Sequence, residues 1–106
     1  MNFGLVGCGL IGRRRSLSIT PPKNVLFVAD KNLKKAEELA VDIKTATAVK
    51  DWKFICQHDD IDVIIIAVSH DSLAIVAKEA LTHGKHVLIE KPNLIILFRR
   101  IASSTL

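Results

Sequence analysis

Five short segments rich in apolar or β-branched residues recur along this chain and are separated by segments of helical character. The clearest is IDVIIIAV (61–68), which is apolar and β-branched almost throughout. Runs without apolar–polar alternation are typical of strands that are covered on both faces. Because strands that alternate with helices connect by right-handed crossovers, the sequence predicts an α/β fold. We expect a parallel sheet of about five strands with helices on both faces.

The same patterns predict where each element lies. Apolar residues recur at helical spacing after the second strand, at Leu33, Ala36, Ala40 and Ile43. Asp30 or Asn32 is available to cap this helix. Asp51 can cap another helix, and Gly84 stands where a left-handed residue ends a third. The predicted strands are 2–6, 25–29, 45–49, 61–68 and 85–90, and the predicted helices are 9–19, 33–43, 52–57 and 73–82.

A glycine-rich turn, GLVGCGLIGRRR (4–15), follows the first strand and opens the first helix. Its glycines have the G-x-G-x-x-G spacing of a dinucleotide-binding turn. The first would permit a tight turn, the second would let a pyrophosphate approach the backbone, and the third would allow close helix packing. Free amides at the helix start would face the phosphates. The predicted cofactor-binding residues of this turn are Gly7, Gly9, Leu10, Ile11 and Gly12.

Asp30 lies at the end of the second strand, 18 residues after Gly12. A carboxylate there can accept hydrogen bonds from both ribose hydroxyls, and it would repel a 2′-phosphate. The cofactor predicted is therefore NAD, with NADP less favoured, although Lys31 and the three arginines 13–15 soften that preference. Asp30 could instead simply begin the next helix. A methyltransferase that binds S-adenosylmethionine is the competing nucleotide-binding class, but it does not require the third glycine.

Polar residues also follow the fourth and fifth strands, and the carboxyl ends of parallel strands meet at one edge of a sheet. Ser69 and His70 come after the fourth strand, and Glu90 and Lys91 lie at the carboxyl end of the fifth. We expect all four to contact the cofactor. For His70, a place in the loop that caps the next helix is the alternative.

Four motifs together resemble one family, the Gfo/Idh/MocA oxidoreductases. They are VGCGLIG, Asp30, DVIIIAV and GKHVLIEKP (84–92), and the resemblance covers residues 1 to about 92. It implies an N-terminal Rossmann domain that binds NAD(P), followed by a substrate domain. It also implies hydride transfer between the nicotinamide and a hydroxyl or carbonyl of a sugar or cyclitol. The family role of the lysine in E-K-P maps onto Lys91 as the catalytic residue, where an ammonium can stabilise negative charge or relay a proton.

The sequence departs from the family pattern at two places. The loop after the fourth strand commonly reads T-P-N-x-x-H, whereas this chain has Val68-Ser69-His70-Asp71-Ser72-Leu73. Residues 93–106, NLIILFRRIASSTL, show no clear family resemblance. We therefore expect a dinucleotide-binding Rossmann domain at 1–92 and an atypical tail at 93–106, with the substrate domain absent.

With this division into domains, the 106-residue chain should bind the dinucleotide but should not catalyse a reaction. Binding of a small-molecule substrate would require a second domain. The alternatives are a non-catalytic nucleotide-binding or sensing module and a non-functional remnant that still folds. The apolar run 94–98 and an open edge at the fifth strand predict a homo-oligomer.

Composition argues against several other classes. The net charge is +4, but the basic residues are scattered, and consecutive arginines on a helix point about 100° apart. With aromatic residues at 5% there is little to stack on bases, so no nucleic-acid partner is expected. No apolar run approaches the roughly 20 residues of a membrane span, and the start lacks a signal-peptide pattern, which predicts a cytoplasmic protein. Cys8 and Cys56 have no metal-binding or disulfide spacing, and no metal is expected.

Overall fold

The computed structural model describes residues 1–91 and 94–98, which form four helices and six strands. No helix within these ranges is long and apolar enough to cross a membrane. In chain order the elements are β1 (Asn2–Val6), α1 (Leu10–Leu17), β2 (Asn24–Ala29), α2 (Leu33–Ile43), β3 (Thr47–Val49), α3 (Trp52–Gln57), β4 (Val63–Ile66), α4 (His70–Thr82), β5 (His86–Lys91) and β6 (Leu94–Phe98).

The strands form one sheet in the order β3-β2-β1-β4-β5-β6. The first five are parallel, which confirms the predicted Rossmann-like sheet. Val6, at the end of β1, pairs with Ala29 of β2 and with Ile66 of β4. This register brings the carboxyl ends of the three central strands to the same level. The strand order reverses at β1, so a crevice opens there between the loops that leave β1, β2 and β4.

Helices cover both faces of the sheet, as the unbroken apolar strands predict. On β4, Ile65 packs into a cluster with Leu39 of α2, whereas Ile64 packs into a second cluster with Ile55 of α3 and Val76 of α4. Adjacent residues of one strand are therefore buried on opposite sides. Because side chains alternate along a strand, a β-branched run is the pattern that such a doubly covered strand requires.

Four helix ends differ from or refine the sequence prediction. Helix α4, predicted at 73–82, begins three residues earlier, at His70. The first helix ends at Leu17 rather than near Ile19, because the backbone amide and hydroxyl of Ser18 both donate to the Arg15 carbonyl and close the last turn. Asn32, not Asp30, caps α2, with its Oδ1 accepting from the Lys34 amide at 3.0 Å. The predicted Asp51 cap of α3 is confirmed, with Oδ1 2.9 Å from the Lys53 amide.

The predicted open edge at the fifth strand is wrong. Strand β6 pairs antiparallel with β5, from Lys91 beside Leu94 to Val87 beside Phe98. Antiparallel neighbours need only a short connection, unlike parallel ones. Residues 94–98 of the predicted tail thus extend the sheet, and its outer edge moves to β6. The remaining tail residues, 99–106, lie outside the described part of the chain.

Lys85 is buried just before β5 and holds the chain that leads into β4. Its Nζ donates to the carbonyl of Ile61 at 2.7 Å and to that of His58 at 2.5 Å. Buried carbonyl groups require hydrogen-bond partners, and a charged donor makes strong bonds to them. The lysine of the G-K-H string therefore has a structural role on the side of the sheet away from the crevice.

Replacing Lys85 by Met should lower the free energy of unfolding by about 1–3 kcal/mol, because two buried carbonyls lose their donor while the side-chain volume is kept. Urea unfolding followed by circular dichroism measures the change. Lys78→Met on the exposed face of α4 is the control and should have little effect. Equal losses in the two variants would contradict the structural role of the Lys85 ammonium.

Candidate nucleotide-binding cleft

A cleft of about 460 Å³ opens at the carboxyl ends of β1, β2 and β4. This volume lies within the ~300–1,000 Å³ that is typical of small-molecule sites. Four residues predicted from the sequence line the cleft together: Gly7, Gly9, Asp30 and Ser69. They come from three different loops, and the level register of the strands brings them to one place.

The turn after β1 depends on two glycines that leave no room for a side chain. Gly7 has a φ of +102°, and a Cβ added there would collide with the backbone carbonyl of Ala67. Its amide donates to the Ala29 carbonyl at 2.8 Å, which fixes the turn to β2. A Cβ on Gly12 would collide with the Gly7 carbonyl, so α1 lies directly on the turn. These contacts place the start of α1 against the cleft.

Gly9 differs from the other two glycines because it borders open space. Beyond the adjoining backbone, no atom of the described residues lies within 4 Å of the position that a Cβ would occupy, and the φ of −73° is accessible to any residue. Gly9 is the N-cap of α1, which has no side-chain cap and no acidic residue in its first turn. The free amides and positive dipole end of this helix therefore face a vacant part of the cleft, as anion binding requires.

The Asp30 carboxylate joins the loops that leave β1 and β2. Its Oδ2 accepts from the Cys8 amide at 2.7 Å, and its Oδ1 accepts from the Asn32 amide at 2.9 Å. An ionised carboxylate has about four acceptor sites, so each oxygen keeps capacity for a further donor. Asp30 lines the cleft and is in position to accept hydrogen bonds from a ligand hydroxyl.

Lysines balance this acid at the same end of the cleft. Lys31 follows Asp30, and Lys50 follows β3. Asp30 is the one acidic residue among the described residues that line the cleft, so two ammonium groups outnumber one carboxylate. The local field favours an anionic ligand.

The start of α4 forms the opposite wall. Ser69, its N-cap, and Ser72, one turn later, line the cleft, and Val76 lies beneath them. His70 was predicted as a contact residue or as part of a capping loop; it is the first residue of α4, exposed and outside the cleft lining. The helix begins there because Ser69 is extended and its carbonyl accepts from the Ser72 amide at 3.1 Å.

Glu90 and Lys91 lie at the end of β5 and outside the cleft lining. Glu90 points to α1, where its Oε1 accepts from Arg15 Nε at 2.7 Å. Its Oε2 is buried and has no hydrogen-bond partner among the described residues. Arg13 pairs with Asp42 of α2. Two of the three consecutive arginines thus join elements of the fold and take no part in lining the cleft.

Of the other turn residues predicted to bind, Leu10 is 70% exposed, and Leu10, Ile11 and Gly12 lie outside the cleft lining. They form the first turn of α1, which follows Gly9. Sequence analysis missed Lys50 and Trp52, which line the cleft from the β3–α3 side. Both follow a predicted parallel strand, so the rule about strand ends could have identified them.

The two cysteines are buried and free. Burial raises the pKa of the Cys8 thiol to about 12, and the neighbouring Asp30 carboxylate adds to the rise. Burial likewise raises the pKa of Cys56 to about 12. Both thiols are therefore protonated near neutral pH and lack the thiolate that a nucleophile requires. Within residues 1–91 and 94–98, no cluster of three or more His, Cys, Asp or Glu side chains could hold a metal ion.

Comparison with known proteins agrees with this geometry. The model of an oxidoreductase family with an NAD-binding Rossmann fold, Gfo/Idh/MocA, matches residues 1–97. A levoglucosan dehydrogenase from Pseudarthrobacter phenanthrenivorans is 33% identical over 87% of this chain and 26% of its own length.

Solved structures show the same likeness. A myo-inositol dehydrogenase from Lactobacillus casei, in complex with NAD(H) and myo-inositol, superposes with a TM-score of 0.77 at 27% identity, covering 87% of this chain and 28% of the other. A 3-ketoreductase from Actinomadura kijaniata, in complex with NADP, gives 0.76 at 27% identity, with 87% and 29% covered.

The cleft and the sheet define an NAD(P)-binding Rossmann domain. The chain belongs to the Gfo/Idh/MocA family of oxidoreductases. It spans about a quarter of the length of the curated relatives that it matches.

The raised thiol pKa values predict a specific pH dependence of stability. The folded chain holds both thiol protons more tightly than the unfolded chain, whose thiols ionise near their ordinary pKa of 9.0. Their contribution to stability is complete below about pH 9 and is lost as the pH rises toward about 12. Urea midpoints measured across that range should fall more steeply for the natural chain than for a Cys8→Ala, Cys56→Ala double variant. Equal slopes would contradict the prediction.

Proposed function

We propose that the cleft binds the adenosine half and the diphosphate of a nicotinamide dinucleotide, with the diphosphate at Gly9 and the start of α1. The observation that carries this proposal is the open space at Gly9. A Cβ there would meet no other part of the described chain, yet the position is a glycine at the uncapped start of a helix. A diphosphate needs both features, room beside the backbone and unoccupied N–H donors.

NAD is the preferred cofactor in this proposal. Asp30 keeps acceptor capacity for the adenosine ribose hydroxyls, and its charge opposes a 2′-phosphate. Lys31 and Lys50 reduce that opposition, so NADP should bind more weakly and not be excluded. One similar protein was solved with NAD(H) and another with NADP, so membership of the family does not by itself indicate which cofactor is preferred.

For the reaction, we propose hydride transfer between the nicotinamide and a hydroxyl or carbonyl of a sugar or cyclitol. Levoglucosan and myo-inositol appear in the names of two similar proteins, which supports this substrate class. Lys91, half-buried at the end of β5, is the candidate catalytic residue, whose ammonium would stabilise negative charge on the reacting oxygen or relay its proton. These 106 residues are expected to bind the cofactor without turnover.

A non-catalytic nucleotide-binding module is the second candidate. It is favoured by the position of Lys91 outside the cleft lining. Consumption of NAD with any member of a panel of polyols and sugars would exclude the second candidate, whereas its absence from these 106 residues is expected of both.

Gly9→Asp tests the binding site without weakening the fold. Aspartate is a favoured N-cap, so thermal stability should stay equal or rise. Its side chain and charge would occupy the proposed diphosphate position, so affinity for NADH should fall at least about tenfold. Calorimetric titration of both chains with NADH and NADPH measures the effect, and the natural chain should bind NADH more tightly.

Asn32→Asp is the matched control for this experiment. It places the same residue and the same added charge at the N-cap of α2, outside the cleft lining. NADH affinity should be nearly unchanged there. The proposed site is wrong if Gly9→Asp binds NADH as well as Asn32→Asp does. Tighter binding of NADPH than of NADH by the natural chain would overturn the role given to Asp30.

We also propose that the chain forms a homo-oligomer through β6. This strand is the last in the sheet order, and alternate side chains on it, Ile95 and Leu97, are each 52% exposed. An edge strand with unpaired backbone groups and exposed apolar side chains is a template for a second strand. The partner expected is β6 of another copy.

Light scattering should therefore find a species larger than the monomer. The variants that test this are Ile95→Lys and Leu97→Lys. Each adds a charge to the exposed edge and should shift the population toward monomer. Ile96→Pro would remove a backbone donor from β6, but it is less suitable because Ile96 packs against the core. A monodisperse monomer of the natural chain would contradict the proposal.

A further inference from the structure

We propose that Trp52 forms the wall on which the adenine ring of the bound dinucleotide packs, and that it determines affinity at that end of the cleft. This inference rests on the proposed function and names a residue for it. Trp52 lines the cleft and is half-buried, with part of its ring against the core cluster that contains Val6, Ala29 and Val76.

The position of Trp52 in the sheet order identifies which part of the ligand it would meet. From β1 outward, Asp30 follows β2 and Trp52 follows β3, whereas Lys91 lies on the other side, at β5. With a diphosphate over the β1 turn and a ribose at Asp30, the next group in the direction of β3 is the base of that nucleoside. The nicotinamide would extend the other way, toward β5.

The surroundings of Trp52 suit a flat heterocyclic ring. Val68 and Val76, from the β4–α4 side, line the same cleft as Trp52, so apolar surface is present at both the β3 and the β4 strand ends. Aromatic side chains bind bases through their π faces, with no need for a particular hydrogen-bonding pattern. Lys50, beside Trp52 on the same side of the cleft, adds a positive charge near the ligand.

Helix α3 holds the ring in a fixed place. The Asp51 side chain caps the first turn, and Ile55 is fully buried in the core below it. On the outer side, Phe54 and His58 pack on Phe27 of β2, with ring centroids 5.1 Å and 4.9 Å from it. A wall that is already ordered loses little conformational entropy when a ligand binds.

Trp52 is the only tryptophan of the chain, and the chain has no tyrosine. Its fluorescence therefore reports on this one wall. Adding ADP-ribose, which carries the adenine but no nicotinamide, should change the tryptophan emission of the natural chain as the ligand saturates. Binding of ADP-ribose in calorimetry without any change in emission would overturn the proposal, even if a variant of Trp52 failed to fold.

Variants then test the energetic role. Trp52→Ala should weaken ADP-ribose binding about tenfold, and Trp52→Phe should restore most of the affinity. Phe54→Ala is the control, because it removes an aromatic ring from the same helix outside the cleft lining and loosens its packing on Phe27. A loss in Phe54→Ala equal to that in Trp52→Ala would assign the effect to helix packing and overturn the adenine wall.

The outcomes separate this inference from the proposed function. Suppose that the natural chain binds NADH, that Gly9→Asp abolishes this binding and that Trp52→Ala leaves it unchanged. The proposed dinucleotide site is then supported, and the role of Trp52 as the adenine wall is wrong. If the natural chain binds neither NADH nor ADP-ribose, both fall.

Discussion

The structure depends on Gly7, where the neighbouring backbone leaves no room for a side chain. The turn after β1 passes between the ends of β2 and β4, close to the Ala67 carbonyl, and α1 then lies on the Gly7 carbonyl through Gly12. Because this contact sets where α1 begins, it also sets where the helix amides point. The direct packing of helix on turn leaves the vacant space beside Gly9 as the place where an anion can meet those amides. The close contacts at Gly7 and Gly12 thus fix the turn and the helix, and they leave open space beside Gly9.

The sequence predicted the parts of the fold that local patterns determine. Unbroken β-branched runs predicted a doubly covered parallel sheet, and glycine spacing predicted the turn, because both depend on residues that are close in the chain. The placement of β6 was not predictable in this way, since Leu94–Phe98 is apolar on both faces and fits either a buried return strand or an intermolecular one. Only the geometry of β5 shows that its edge accepts the strand from the same chain.

For the cleft, the sequence identified the backbone groups better than the side chains. Gly7, Gly9, Asp30 and Ser69 come together as expected, because each follows a strand whose end lies at the central crevice. Glu90 lies outside the cleft lining for a physical reason: successive residues of a strand face opposite sides, and the sequence does not say which side faces α1. Its pairing with Arg15 depends on contacts across 75 positions of chain. Trp52 follows the predicted strand 45–49, but the sequence assigned it only to the helix that Asp51 caps, so its place in the cleft was overlooked.

The antiparallel direction of β6 has a consequence for the geometry of any longer polypeptide. Phe98 lies beside Val87, near the amino end of β5, whereas the cleft is at the opposite end of the sheet. A polypeptide that continues from Phe98 sets out on the far side of the sheet from the nucleotide. The length of β5, about 3.3 Å for each extended residue, therefore separates Phe98 from the cleft. A probe attached at Phe98 would therefore report on the end of the sheet that is remote from the cleft.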